Sequence, residues 1–261
     1  MTSEIHNAQA PLAHIASDRS GRWLPPQTLR EHLENVSRLA GEFASEFSSG
    51  EIGSLLGLAH DLGKWSPEWQ NYFRNKTGFP GDKPAETFRR VEHSIYGAKV
   101  LETNLGRVLG RVFGFPIAGH HSGLADLDSQ HNPAASLLGR LSRASIEPVP
   151  DEAIEFISRA FHNASYVRRF SSNSGIDLSL WIRMLFSCLV DADRLDAERY
   201  ESPDKATLRS RYLSIADLTA RFDVFMKQKR VESTPSRVND IRDKVHAECV
   251  KAASLPKGVF S

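Results

Sequence analysis

The chain has very little cysteine: Cys188 and Cys249 are the only two among 261 residues. Two thiols do not make a disulfide framework, and neither lies in the histidine and aspartate motifs described below. No apolar run approaches the roughly 20 residues that span a bilayer, so no membrane span is expected. The first ten residues, Met1 to Ala10, lack the basic start and apolar core of a signal peptide, which makes the cytoplasm the expected compartment. Charge of one sign is missing too, since 33 lysines and arginines against 32 aspartates and glutamates leave a net +1. Any nucleic-acid binding must then come from a local basic patch rather than from the field of the whole chain. No G-x-x-x-x-G-K-S/T loop occurs, so this chain by itself is not expected to hydrolyse ATP. Internal repeats, low-complexity tracts and extended alternating-strand patterns are absent. What remains, 40% hydrophobic and 25% charged, has ordinary globular composition, and the expectation is an all-α fold in one domain over 1–261.

Helical periodicity carries that assignment. From Thr28, a suitable N-cap, Leu29, Leu33, Val36, Ala40, Phe43 and Phe47 recur every three or four residues, and His32 lies beside this stripe. Residues 1–27, with Pro11, Pro25 and Pro26, read as an irregular leader, within which His14 either lines a site or is merely solvated, the solvated reading being the expectation. After Gly50, the apolar positions Ile52, Leu55, Leu56, Leu58 and Ala59 run into His60-Asp61-Leu62-Gly63-Lys64, with Gly63 expected as the C-terminal cap. Ser66-Pro67 restarts a helix with Trp69 and Phe73 paired on its inner face, and a loop over 77–90 carries Arg89 and Arg90. Glu92-His93-Ser94 opens the next helix, and another over Val108 to Ala118 runs into Gly119-His120-His121-Ser122-Gly123. Residues 124–150, polar and proline-bearing, with Arg140 and Arg143, read as a mobile excursion; Asp151 then caps a helix. The most apolar helix, Leu178 to Asp193, should sit centrally and ends in Asp191-Ala192-Asp193-Arg194-Leu195-Asp196. Two charged amphipathic helices follow, over about 205–229 and 235–253, with His246 on a solvated face.

Two of these features call for a cation. A carboxylate beside a histidine at the end of an apolar helix, as at His60-Asp61, loses hydration unless something positive compensates. Aspartates at the end of a buried helix oppose the negative end of its dipole, where lysine or arginine is the ordinary choice. The glycines around His120-His121 let the backbone turn tightly while two imidazoles converge. Together, His32, His60, Asp61, His93, His120, His121 and one aspartate of the 191–196 run offer enough nitrogen and oxygen ligands for two metals. Mixed imidazole and carboxylate donors suit Fe, Mn, Co, Ni or Zn better than Mg or Ca. Their wide spacing argues against a zinc finger and for a helical bundle converging on a catalytic centre.

In this order, His32, His60-Asp61-Leu62-Gly63-Lys64, Glu92-His93-Ser94, Gly119-His120-His121 and Ala192-Asp193 resemble the motifs of the HD phosphohydrolase superfamily. The resemblance is specifically to the HD nuclease domain of the CRISPR-associated helicase-nuclease of type I interference systems, and covers roughly residues 10 to 200. The His-Asp-x-Gly-Lys form and the double histidine are what separate this nuclease branch from nucleotide-hydrolysing HD relatives. Ala192-Asp193 fits the family pattern better than Asp191, for which a salt bridge to a nearby arginine is expected.

The resemblance implies a single helical domain with a metal-binding cleft. Asp61 would bridge two divalent transition-metal ions, with His60, His32 and Asp193 around one and His93, His120 and His121 around the other. His60, Asp61 and Lys64 would be the catalytic residues, Lys64 lying near the scissile phosphate. The implied activity is metal-dependent cleavage of single-stranded DNA, endonucleolytic with exonucleolytic trimming, with Arg89, Arg90, Arg140 and Arg143 as candidates for attracting the backbone. The implied partners are a helicase domain, to which Leu255 to Ser261 would lead, and an RNA-guided CRISPR surveillance complex. Two other readings of the residues stay open: a phosphohydrolase acting on free nucleotides, and a non-catalytic docking module that metal merely stabilises.

Overall fold

Local capping chemistry sets the helix starts. Thr28 accepts the backbone N–H of Glu31 to begin α1 (Leu29–Ser45), and Ser66 accepts that of Trp69, with Pro67 in the first turn, to begin α3 (Pro67–Thr77). Between them lie α2 (Gly50–Ala59) and one 3-10 turn, Leu62–Trp65. The helix α4 (Ser94–Gly119) is two helices joined at Gly106, which takes a φ of +77° that a side chain would strain. Then come α5 (Leu137–Arg143), α6 (Asp151–Phe161), α7 (Gly175–Glu201), α8 (Pro203–Arg209), α9 (Ile215–Glu232) and α10 (Arg237–Ala252). This computed structural model describes residues 10–18, 20–79, 91–144, 149–161, 175–209 and 212–255. Among them the only sheet is a two-stranded antiparallel ribbon of β1 (Leu12–His14) and β2 (Gln27–Thr28), so the chain is all-α in character. No helix of the described residues is long and apolar enough to cross a membrane.

The chain divides into two units, Met1–Thr207 and Leu208–Ser261. In the first, α1 and α2 pack antiparallel at very close range. A Cβ on Gly57 would stand 2.5 Å from Ser37 Cα, and one on Gly53 would stand 2.4 Å from the Ala40 carbonyl oxygen. The core around this seam joins Leu29, Leu33, Val36, Leu55, Leu56 and Leu62 to Leu101, Phe113 and Ile117 of α4 and to Leu185 and Leu189 of α7. In the second unit, no residue of α9 or α10 is buried. The sequence reading takes 1–261 as one domain; the two-unit division follows the point where buried apolar positions stop.

Several expected boundaries move. The leader is not irregular over residues 10–27: β1 and β2 pair, and Leu12 and Ala13 are buried. Gly63 does not cap α2, whose cap is His60; it lies inside the 3-10 turn, where a Cβ would stand 2.3 Å from the His93 carbonyl oxygen. The excursion over 124–150 contains α5, because Ser136 caps it and Leu137 and Leu141, four residues apart, are both buried. The helix placed at Leu178 to Asp193 extends to Glu201, which puts its aspartates mid-helix and removes the dipole argument for them. That helix packs on α1, α2 and α4 along one side, while Leu180 and Met184 stay exposed. The stretch 205–229 holds two helices, α8 and α9, with Ser214 capping the second. Residues 80–90 of the expected loop, including Arg89 and Arg90, lie outside the described residues, as do 256–261 of the expected lead-in.

Because α1 carries His32 and α2 ends at His60, their seam fixes the spacing of two site residues. Gly57→Ala is expected to destabilise the protein by about 1–3 kcal/mol through overpacking, read as a lower urea midpoint at unchanged slope. An unchanged midpoint would show that the seam tolerates separation.

Candidate metal centre

Asp61 follows directly on the C-terminus of α2 and is fully buried, as are His32, His60 and, nearly so, His120. The 3-10 turn after it folds Lys64 back to place its Nζ 2.6 Å from Asp61 Oδ2. The bare backbone of Gly63 lets His93, at the N-cap of α4, approach. At the other end of α4, Gly123 takes a φ of +89° and donates its N–H to the Gly119 carbonyl at 2.7 Å, which closes the turn bearing His120 and His121. Asp193 and Asp196 are three residues apart on α7 and so share one face.

The two oxygens of Asp61 face two separate sets of side chains. Oδ1 stands 3.3 Å from His93 Nε2 and 3.4 Å from His120 Nε2, and His121 completes that group. Oδ2 stands 3.6 Å from His32 Nε2 and 3.3 Å from His60 Nε2; Asp193 Oδ1 lies 3.3 Å and 3.7 Å from the same two nitrogens. In each group one donor atom per residue falls within 4.8 Å of all the others. Neither Asp61 oxygen makes a hydrogen bond, Lys64 meeting Oδ2 as an ion pair only, and the Nε2 atoms of His32, His60 and His120 are likewise buried without a hydrogen-bond partner. Buried polar atoms are ordinarily satisfied, so this convergence of unpaired nitrogen and oxygen atoms fits a metal ion. These groups could hold one.

The electrostatics agree. Burial alone would raise the Asp61 carboxyl, but Lys64 and His60, with His120 and His32, hold it well below the usual carboxylate range. Asp193 is likewise held low against burial by His32 and His60, whose Nε2 atoms stand 3.3 Å and 3.7 Å from its Oδ1. Burial opposes protonation of His32, yet Asp193, Asp196 and Asp61 outweigh it and raise that imidazole to about 10. His60 is raised to about 9 by Asp61 and Asp193 against the same penalty. His93 and His121 go the other way, to about 3 and about 4, because burial dominates there. When no metal is bound, the positive charge these carboxylates need comes from His32, His60 and Lys64.

Asp193 rather than Asp191 reaches the centre; Asp191 is exposed, and its expected ion pair with arginine does not form among the described residues. Asp196 and Gln27 escaped the sequence reading. Asp196 is buried and accepts from His32 Nδ1 at 2.7 Å and from Gln27 Nε2 at 2.8 Å. His14, expected in solvent, is largely covered: it meets Gln27 Oε1 at 2.6 Å, its ring lies 4.7 Å from that of His32, and burial lowers it to about 4. A carboxylate behind a ligating histidine fixes the tautomer and aims the free nitrogen. The signal for Asp196 was present in Leu185, Leu189, Ala192 and Asp196, spaced four, three and four along the buried face. Two of the arginines expected to attract a phosphate backbone are otherwise engaged. Arg140 binds Glu92, the Ser94 hydroxyl and the Ala118 carbonyl, clamping the His93 segment to the His120 turn, and Arg143 donates to the Ala134 carbonyl.

No protein-family model matches this chain, and no curated protein matches it.

Two outcomes follow for metal uptake. His32 and His60 lie above neutrality as imidazolium, so loading the Asp61 Oδ2 group at pH 7 should expel about two protons, and affinity should rise with pH. Calorimetry in buffers of differing ionisation enthalpy measures this, and zero proton release would contradict the charge assignment. Asp196→Asn should weaken metal affinity by roughly 10–100-fold; an unchanged binding isotherm would remove Asp196 from the site.

Proposed function

We propose that this chain is an HD-type nuclease domain that hydrolyses single-stranded DNA with the help of two divalent transition-metal ions, as the HD nuclease of type I CRISPR interference does. The observation that carries this reading is the division of one buried carboxylate between two donor groups, Asp61 Oδ1 toward His93, His120 and His121, and Oδ2 toward His32, His60 and Asp193. When bound, a pair of divalent ions supplies a water ionised near neutral pH and charge neutralisation at a departing oxygen.

The protein's own contribution is to bind and to orient. Asp61 gives one oxygen to each group, and the histidines, fixed through their Nδ1 atoms or by neighbouring rings, complete them. Lys64 brings an ammonium to 2.6 Å from Asp61 Oδ2, 7% exposed, where it can stabilise added negative charge or give a proton to the leaving oxygen. The phosphodiester would enter through a cleft of about 500 Å3 walled by Glu92, His93, Ser94, His121, Ser122 and Arg140. An unstacked single strand bends into such a cleft more easily than a duplex does. In this reading a helicase domain feeds the strand in after an RNA-guided complex opens the target, and the setting is cytoplasmic.

The test is a metal screen with Mn2+, Co2+ and Ni2+ on circular single-stranded DNA, which has no ends and so isolates the endonuclease step. Cleavage is expected, abolished by chelator and by Asp61→Ala, and lowered roughly 10²-fold by Lys64→Ala. Hydrolysis of dNTPs without DNA cleavage would favour a nucleotide phosphohydrolase. No turnover by a fully metallated sample would leave a docking module.

A further inference from the structure

His93 differs from its neighbours in what its Nδ1 meets. The Nδ1 atoms of His32, His60 and His120 face the Asp196 carboxylate at 2.7 Å, the Gly57 carbonyl at 2.8 Å and the Ile117 carbonyl at 2.6 Å. All three partners are acceptors, so each ring carries a proton on Nδ1 whatever its charge, and Nε2 is the atom that ligates once it is unprotonated. His93 Nδ1 instead receives the indole N–H of Trp69 at 3.2 Å. An indole nitrogen can only donate, so Nδ1 is the acceptor and the neutral ring holds its proton on Nε2. That Nε2–H lies 2.9 Å from His121 Nε2 and 3.3 Å from Asp61 Oδ1, both able to accept it. His93 is therefore satisfied on both sides, and the nitrogen facing Asp61 has no lone pair to offer.

We propose that Trp69 gates the Asp61 Oδ1 half of the metal centre: a cation takes His93 Nε2 only when the Trp69–His93 hydrogen bond breaks, so that half binds its ion more weakly than its donors alone would allow. For His93 to ligate through Nε2, its proton must move to Nδ1, which sets two N–H donors against each other. Trp69 is poorly placed to turn aside. Its side chain is buried, its ring stacks on Phe73 with centroids 4.7 Å apart, and Lys64 Nζ lies 5.3 Å from its ring centroid. A buried donor left without a partner weakens the ion of the Oδ1 half, by about tenfold on ordinary hydrogen-bond energetics. The gate rests on reading the cluster as a metal centre, and the experiment separates the two ideas.

The whole chain, labelled with 15N, is titrated with Zn2+ while the indole N–H signals of its four tryptophans are followed by NMR. The Trp69 signal is assigned by its absence from Trp69→Phe. Its movement, upfield as the hydrogen bond is lost, should accompany the one equivalent that also shifts the ring 15N signals of His93 and His121, and not the other. By calorimetry, Trp69→Phe should bind one of the two ions about tenfold more tightly and the other unchanged. If Trp69→Phe does not fold, Trp23→Phe, Trp65→Phe and Trp181→Phe assign the signal by elimination and the wild-type titration decides. Two equivalents binding with the Trp69 signal unmoved, or moving without the His93 ring, would overturn the gate, as would a Trp69→Phe variant that binds neither ion more tightly. A flat isotherm, with Zn2+ bound at neither half, would overturn the metal reading and the gate with it.

Discussion

A carboxylate with no access to water and no hydrogen bond of its own is the constraint on which the first unit depends. Asp61 is fully buried, and an ionised group in that position costs several kcal/mol unless positive charge surrounds it. The fold answers by bringing cationic side chains and candidate metal ligands to Asp61 from separate elements: α1, the end of α2, the 3-10 turn and both ends of α4, with Asp193 of α7 facing the same histidines. Packing serves this convergence. Gly57 lets α1 lie against α2, Gly63 admits the His93 backbone, and a Cβ on Gly97 would collide with the Ala59 carbonyl beside His60.

The candidate ligands are in turn held in place by a further set of hydrogen-bonded groups. On one side His14, Gln27 and Asp196 form a hydrogen-bonded chain ending at His32, and Gln27 belongs to β2. On the other, Arg140 ties Glu92 and Ser94 to the end of α4. Beneath, Gln70 of α3 accepts the Leu12 N–H at 2.9 Å and donates to the carbonyls of Leu12 and Lys64 at 3.0 Å and 2.7 Å. A site built on rigid elements with supported rotamers holds its geometry, whatever the sequence of the exposed loops around it.

Much of this was legible in the sequence because helices announce themselves by period and cap. Thr28 and Ser66 began helices as expected, and His60-Asp61, His93 and His120-His121 came together as their positions at helix ends and turns suggested. What could not be read was anything that depended on contacts between distant segments. The leader looked irregular because its pairing is a short ribbon between Leu12–His14 and Gln27–Thr28, too brief to leave an alternation pattern. Asp196 looked like one more polar residue because the partner that defines it, His32, lies 164 positions away. Arg140 looked available to a ligand because charge is visible in sequence and its internal partners are not. The proton positions on His93 and its neighbours were equally out of reach, since a tautomer is set by whichever atom stands opposite.

The account stands or falls on whether Asp61 is shared between cations. Anomalous X-ray diffraction from crystals soaked in Mn2+ tests this most directly. Two anomalous peaks within coordination distance of Asp61, one on each carboxylate oxygen, with His32, His60 and Asp193 about one and His120 and His121 about the other, are the predicted result. Anomalous density confined to the surface, with Asp61 still paired to Lys64 alone, would contradict it.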